Sequence, residues 1–201
     1  MKQIFTICLI TLAAVGTAFA QPDCSNGRYT TFDLFSNVDV TSGVTFGNNT
    51  ALSGGDVDLL MDVYEPAGDS QVDRPVIVMA FGGSFIGGAR ADVAFMCNIL
   101  AKMGYVAVAP DYRVGFFLPN QVTTTSAVLR GAHDVSACVR YLKKTAAEDG
   151  NPYGIDCERI IVGGISAGAI AAIHSAYFDK LAEIPSYMLN DTAGLGGVAG
   201  N

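Results

Sequence analysis

The chain has 201 residues, 50% of them apolar, and a formal net charge of −7. That length and apolar content suit one domain with a sizeable buried core, and with no basic cluster to neutralise phosphates a nucleic-acid partner is excluded. Glycine is abundant at 23 residues but follows no period, which excludes a collagen-like chain and implies many tight turns.

The first elements in chain order are those of a secretory signal over residues 1–20. Lys2 gives a positive start, "IFTICLITLAAVG" an apolar run, and "AFA" before Gln21 a small-x-small cleavage site. A membrane anchor is the alternative reading. The stretch from Ile4 to Ala20 is, however, interrupted by Thr6, Thr11, Gly16 and Thr17, and it falls short of the about 20 apolar residues a span needs. No second run of that length follows, and Cys24 lacks the Leu-x-Ala/Gly lead of a bacterial lipoprotein. A secreted or periplasmic protein with no stable membrane anchor is expected, with residues 21–201 as its domain.

Export changes how the cysteines read. Cys8 leaves with the signal, and Cys24, Cys97, Cys138 and Cys157 remain, which allows three pairings. Cys138 and Cys157 are separated by a short loop, so the expected arrangement is Cys138–Cys157 with Cys24–Cys97. The spacings lack any CxxC, and only His133 and His174 could join them, so no metal site is expected.

Strands and helices then alternate. "VDLLMDVYEP" (57–66) reads as a strand ending at Pro66 and "GDSQVDRP" as a polar turn. "PVIVMAF" is a continuously apolar strand, as in a parallel sheet buried on both faces. A glycine-rich loop "GGSFIGGARAD" leads into a helix over about 91–103, with Val93, Met96, Leu100 and Met103 on one stripe. "YVAVAPD" is the next buried strand. A long helix over 124–148 follows, carrying Val128, Ala132, Val135, Val139 and Leu142 at helical spacing. A strand over 159–164 and a helix from Ser166 complete the series. The fold class is α/β, a mostly parallel sheet flanked by helices.

The last of these junctions carries chemistry. "GGISAG" sets Ser166 between Gly164 and Gly168, after the β-branched run Ile160-Ile161-Val162 and before a run of small residues. A strand-to-helix turn that projects a nucleophile is sharp and holds its serine in a strained conformation. Side chains two residues to either side would collide with the strand or the helix, so glycine is required there. The hydroxyl is then exposed at a helix amino end, where the Ala167 amide and the helix dipole favour developing negative charge. The earlier loop "MAFGGSFIGG" (79–88) leaves another strand at its carboxyl end, where parallel sheets carry their sites. With few side chains in the way, its backbone amides can approach an oxyanion.

Together, "FGGSF" and "GISAG" resemble the α/β-hydrolase carboxylesterases and lipases with an HGGG-type oxyanion loop, the hormone-sensitive-lipase and type-B groups. The resemblance extends through "DVYEP", "RPVIV", "GYVAVAPDYR" and "CERIIVGGISAGA". It implies Ser166 as nucleophile and the amides of Gly83, Ser84 and Ala167 as oxyanion donors, with a small ester as substrate and no cofactor. Phe81 stands where the family has His, and Ser84 stands for the third Gly, a change that leaves a backbone donor in place. The family order is Ser, then Asp or Glu, then His. After Ser166 the only histidine is His174, eight residues on in the same helix, about 12 Å along its axis and out of reach. His133 belongs to the preceding helix. Asp179 and Asp191 follow no recognisable strand end, and the sequence reaches "GLGGVAGN" where further strands would begin. The expectation is an amino-terminal portion whose acid and base lie outside it, lacking about a third of the fold, with the strand Ile160–Val162 near an open sheet edge.

Other residues have structural readings. Asp111 and Arg113 in "PDYRVG" suit a salt bridge or turn, and adjacent helix residues such as His133 and Asp134 do not face one another. Phe116 and Phe117 fit either the mouth of a pocket or a cap on the sheet. Two functional classes compete: an exported serine esterase, and a non-catalytic hydrolase-like binding or adhesion domain. A serine peptidase of the prolyl-oligopeptidase type is a further alternative, but those enzymes usually lack this loop form.

Overall fold

The computed structural model describes residues 24, 26–115, 118–178, 180 and 183–186. The expected signal segment 1–20 and Phe116, Phe117, Asp179 and Asp191 lie outside them. Five strands form one sheet: β1 (Val38–Thr50), β2 (Asp56–Pro66), β3 (Arg74–Ala80), β4 (Val106–Pro110) and β5 (Ile155–Gly164), in spatial order β1-β2-β4-β3-β5. β1 pairs antiparallel with β2, and β2 antiparallel with β4, whereas β3 is parallel to both β4 and β5. β2 alone therefore runs against the other four, and the sheet is mostly parallel, as expected. The helices are α1 (Ala94–Lys102), α2 (Gln121–Glu148) and α3 (Ala167–Tyr177), with a 3-10 turn, Arg90–Val93, leading into α1.

The central strands are the apolar runs of the sequence. Val76, Val78, Val106 and Val108 have no solvent exposure, because β3 and β4 are covered on both faces. Successive residues of β2 separate the two layers. Met61 meets Cys138 of α2, with the sulfurs 3.7 Å apart, while Asp62 accepts from the Arg90 guanidinium at 2.9 Å on the other face. Strand side chains alternate, so α1 and α2 cover opposite faces.

Three boundaries differ from the sequence reading, each for a local reason. β1 is an additional strand, masked in the sequence by Gly43 and Gly47 and by two register irregularities against β2. α2 begins at Gln121 because Asn120 caps it: the Asn120 side chain accepts from the Thr123 amide at 3.0 Å, and Thr123 Oγ1 accepts from the Asn120 amide at 3.1 Å. β5 begins at Ile155, which pairs with Arg74, and an irregularity follows before Val76 meets Ile160. Among the described residues β5 pairs with β3 alone, and Ile161 is 52% exposed at this edge. No described helix is long and apolar enough to cross a membrane.

The cysteines correct an expectation. All four carry free thiols, so neither Cys138–Cys157 nor Cys24–Cys97 is joined. Cys138 faces inward onto Met61, whereas Cys157 is partly exposed beside Lys143. Cys97 lies on the buried face of α1, and Cys24 is exposed in the amino-terminal segment. Burial pushes the Cys97 thiol up to about 12 and raises that of Cys138 as well.

Candidate active site

Ser166 occupies the turn between β5 and α3, with φ 52° and ψ −116°. This is a left-handed backbone conformation that a non-glycine residue adopts at a cost on the order of 1–3 kcal/mol. The Ile165 amide donates to the Ala80 carbonyl at 3.1 Å, and the Gly168 amide donates to the Ile165 carbonyl at 2.9 Å. Neither Gly164 nor Gly168 has positive φ; the need is for space. A Cβ on Gly164 would lie 2.7 Å from the Ala80 oxygen and 2.5 Å from the Gly168 carbonyl carbon. One on Gly168 would lie 2.2 Å from the Ala80 oxygen and 2.3 Å from that of Phe81. The two glycines let α3 start directly on the end of β3, which leaves Ser166 exposed at the tip.

The loop after β3 runs against this turn. A Cβ on Gly82 would sit 3.4 Å from Ser166 Cβ and 3.1 Å from the Ile165 oxygen. The backbone then turns left-handed over three residues, Gly83 (φ 125°), Ser84 (55°) and Phe85 (59°). The Gly83 carbonyl accepts from the Ile86 amide at 2.9 Å, and a Cβ on Gly83 would strike the Gly87 oxygen at 2.1 Å. Among the described residues the backbone amides of Gly83, Ser84 and Ala167 donate no hydrogen bond. Gly83 and Ser84 are exposed, and Ala167 is the first residue of α3. These are unused donors on the two turns that meet at the Ser166 hydroxyl.

The segment after β4 holds the loop from behind. Tyr112 is 3% exposed; its hydroxyl donates to the Phe81 carbonyl at 2.7 Å and its ring stacks on Phe81 at 4.2 Å. Burial raises its phenol to about 12, so it remains a donor. Asp111 accepts from the Arg90 amide at 3.0 Å and from its guanidinium at 2.5 Å, at the far end of the loop. Arg113 is fully buried against Asp134 of α2 (2.8 Å) and donates to the Thr50 carbonyl at 3.0 Å. Asp111 and Arg113 are thus structural, but they do not bridge one another: Asp111 pairs with Arg90 and Arg113 with Asp134, each on a distant element. Asp134 faces Arg113 rather than its neighbour His133. Sequence reasoning passed over Tyr112, because nothing local distinguishes a bracing tyrosine from an ordinary core aromatic.

Neither histidine joins Ser166. His174 Nδ1 lies 2.8 Å from the Ile170 carbonyl, and its ring meets Phe178 edge-on at 5.0 Å. His133 lines a groove between β1 and α2 with Phe46, Asn48 and Arg140, and no residue of the Ser166 turn or the 81–90 loop takes part in that groove. The described residues thus assemble a hydroxyl and amide donors without a base.

Comparison with known proteins follows the same outline. The family model described as BD-FAE matches residues 61–192, more than half of the chain. Fumonisin B1 esterase of Sphingopyxis macrogoltabida is 30% identical over 124 residues, which cover 56% of this chain and 22% of that protein. Among solved structures, a thermophilic esterase from the Planctomycetes species Thermogutta terrifontis, Est2, matches in its native and propionate-bound forms with a TM-score of 0.50 and 30% identity. Each of these matches covers 68% of this chain, and they cover 43% and 44% of the Est2 chains. The form of that esterase phosphorylated by paraoxon matches with a TM-score of 0.51 and 29% identity, covering 68% of this chain and 46% of the other. The chain therefore spans less than half the length of each of these relatives.

Proposed function

This chain belongs to the BD-FAE family of α/β-hydrolases, and from that premise we propose that it supplies the nucleophile and oxyanion hole of an exported serine esterase. Ser166 Oγ attacks the ester carbonyl, forming a C–O bond as the carbonyl electrons move onto oxygen. That oxyanion is held by the amides of Gly83, Ser84 and Ala167, each oriented before the reaction begins. The hydroxyl proton passes to a histidine outside these 201 residues, itself oriented by a carboxylate, following the family order. Collapse of the intermediate expels the alcohol, which takes that proton, and water then releases the acyl group from Ser166 by the same steps.

The observation that carries this reading is the apposition of Gly82 and Ser166, with unused amides on both turns. Short acyl esters are the proposed substrates; the propionate-bound relative supports that class. Cleavage of residues 1–20 on export is part of the same proposal.

Hydrolysis of p-nitrophenyl butyrate by a form that includes the histidine is expected, with Ser166→Ala reducing it to background. The 201-residue stretch alone is expected to show only the small residual rate that an oxyanion hole and binding can sustain. Ordinary turnover by that stretch, abolished by Ser166→Ala, would place the base within it. Turnover that survives Ser166→Ala in the longer form would leave a non-catalytic, hydrolase-like binding domain as the better account of this segment.

A further inference from the structure

The oxyanion loop is not self-supporting. Ser84 and Phe85, which follow Gly83, hold a strained left-handed backbone; the Gly83 carbonyl accepts from Ile86 and Gly87 inside the loop, and the Phe85 carbonyl accepts from the Gly115 amide at 2.5 Å, outside it. Two of the three residues that follow β4 hold its ends. Asp111 takes the far end through the Arg90 amide and guanidinium, and Arg90 is also bonded to Asp62 of β2 at 2.9 Å. Tyr112 takes the near end at the Phe81 carbonyl. That oxygen also lies against α3, since a Cβ on Gly168 would come within 2.3 Å of it. The Phe81 peptide is therefore lodged between the Tyr112 hydroxyl and the first turn of the Ser166 helix. Its carbonyl belongs to the peptide unit that leads into Gly82 and Gly83.

We propose that Tyr112 is a positioning residue: by fixing the Phe81 carbonyl it sets where the Gly83 and Ser84 amides stand relative to Ser166. The inference rests on the esterase reading of that site. Its physical basis is the steepness of electrostatic stabilisation with donor placement, since displacement of a catalytic group by about 1 Å can lower a rate 10²-fold. Three features suit Tyr112 to this. Its ring is clamped between Phe81 at 4.2 Å and Phe85 at 6.0 Å. A Cβ on Gly131 of α2 would lie 3.4 Å from that ring, so it has no room to swing away. Burial also keeps its phenol protonated at every pH where an ester assay is run.

Tyr112→Phe removes the hydroxyl and retains the ring. In the full-length protein it is expected to lower kcat on the order of tenfold at unchanged KM, with the pH profile of kcat unmoved. Backbone order parameters across 81–85 are expected to fall from the rigid value of about 0.85 toward about 0.6. Tyr105→Phe is the control, because it also removes a tyrosine hydroxyl bonded to a carbonyl (that of Tyr29, at 3.4 Å), away from the loop; kcat should not change. Unchanged order parameters in Tyr112→Phe would overturn the proposal without any need for turnover. So would a loosened loop with unchanged kcat, or a parallel loss in kcat and KM that Tyr105→Phe shares. Failure of the esterase reading itself is distinguished by Ser166→Ala, which would then leave turnover intact.

Discussion

Two turns meet at Ser166, and they are held in different ways. The β5–α3 turn is shaped by its own sequence, with glycines two residues to either side because Ala80 and Phe81 leave no space for a Cβ. The loop after β3 is shaped from outside, by Asp111, Tyr112 and the Gly115 amide, and the Arg113–Asp134 pair anchors that same segment to α2. A turn specified by steric exclusion can be read from a few adjacent residues. One specified by distant hydrogen bonds cannot.

The largest expected effect is on the outer brace. Asp134→Ala leaves the Arg113 guanidinium, only 2% exposed, without its carboxylate. Loss of one partner from a buried pair costs about 3–5 kcal/mol, so Tm should fall on the order of 10 °C in a chain of this size. A thermal melt checks it, and a fall of only a degree or two would mean that the pair is dispensable to the fold. Gly168→Ala comes next. In an open helix this change stabilises by about 1 kcal/mol, but here it should destabilise by about 3 kcal/mol through overlap with the Ala80 and Phe81 carbonyls. Denaturant unfolding reports the sign, and a stabilised variant would break the steric account of this turn.

The third effect is on pH. Burial raises the Tyr112 phenol from 10.0 to about 12 and the Cys97 thiol from 9.0 to about 12. Both groups are neutral when protonated, so the folded state keeps these protons after the unfolded chain has released them. Their contribution is complete below pH 9 and is lost as pH rises from 9 to 12, by on the order of 2–4 kcal/mol per group. Urea unfolding at pH 8 and pH 11 measures this, and Tyr112→Phe should flatten the part above pH 10. The smallest effect is expected at Ser84. Ser84→Gly relieves a left-handed residue at φ 55° and keeps the backbone donor, so stability should rise by less than about 1 kcal/mol and ester turnover should be unchanged. A large loss of turnover would mean that the Ser84 hydroxyl takes part in the site.

The same contrast explains what was legible in the sequence. β2 to β4 are legible because their apolar runs are buried, β5 because its β-branched run Ile160–Val162 marks a strand even at the open edge, and the Ser166 turn because its glycines are adjacent to it. β1 was missed because register irregularities and Gly43 and Gly47 break its alternation. The start of α2 was placed late because the Asn120–Thr123 cap has no apolar periodicity. The cysteine pairing failed because separation along the chain says nothing about facing: Cys138 points at Met61 and not toward Cys157. Tyr112 was passed over because its meaning lies in a carbonyl 31 residues earlier.

The central claim, that Ser166 is an activated nucleophile beside an amide-lined hole, is tested most directly by covalent labelling. A Thermogutta terrifontis esterase that resembles this chain is known phosphorylated by paraoxon. In the full-length protein Ser166 Oγ should displace one p-nitrophenolate from paraoxon, losing its hydroxyl proton and gaining one diethylphosphoryl group, which mass spectrometry maps to Ser166. Ser166→Ala should take up none. Adduct formation at another residue with Ser166 untouched, or equal labelling of Ser166→Ala, would contradict the account.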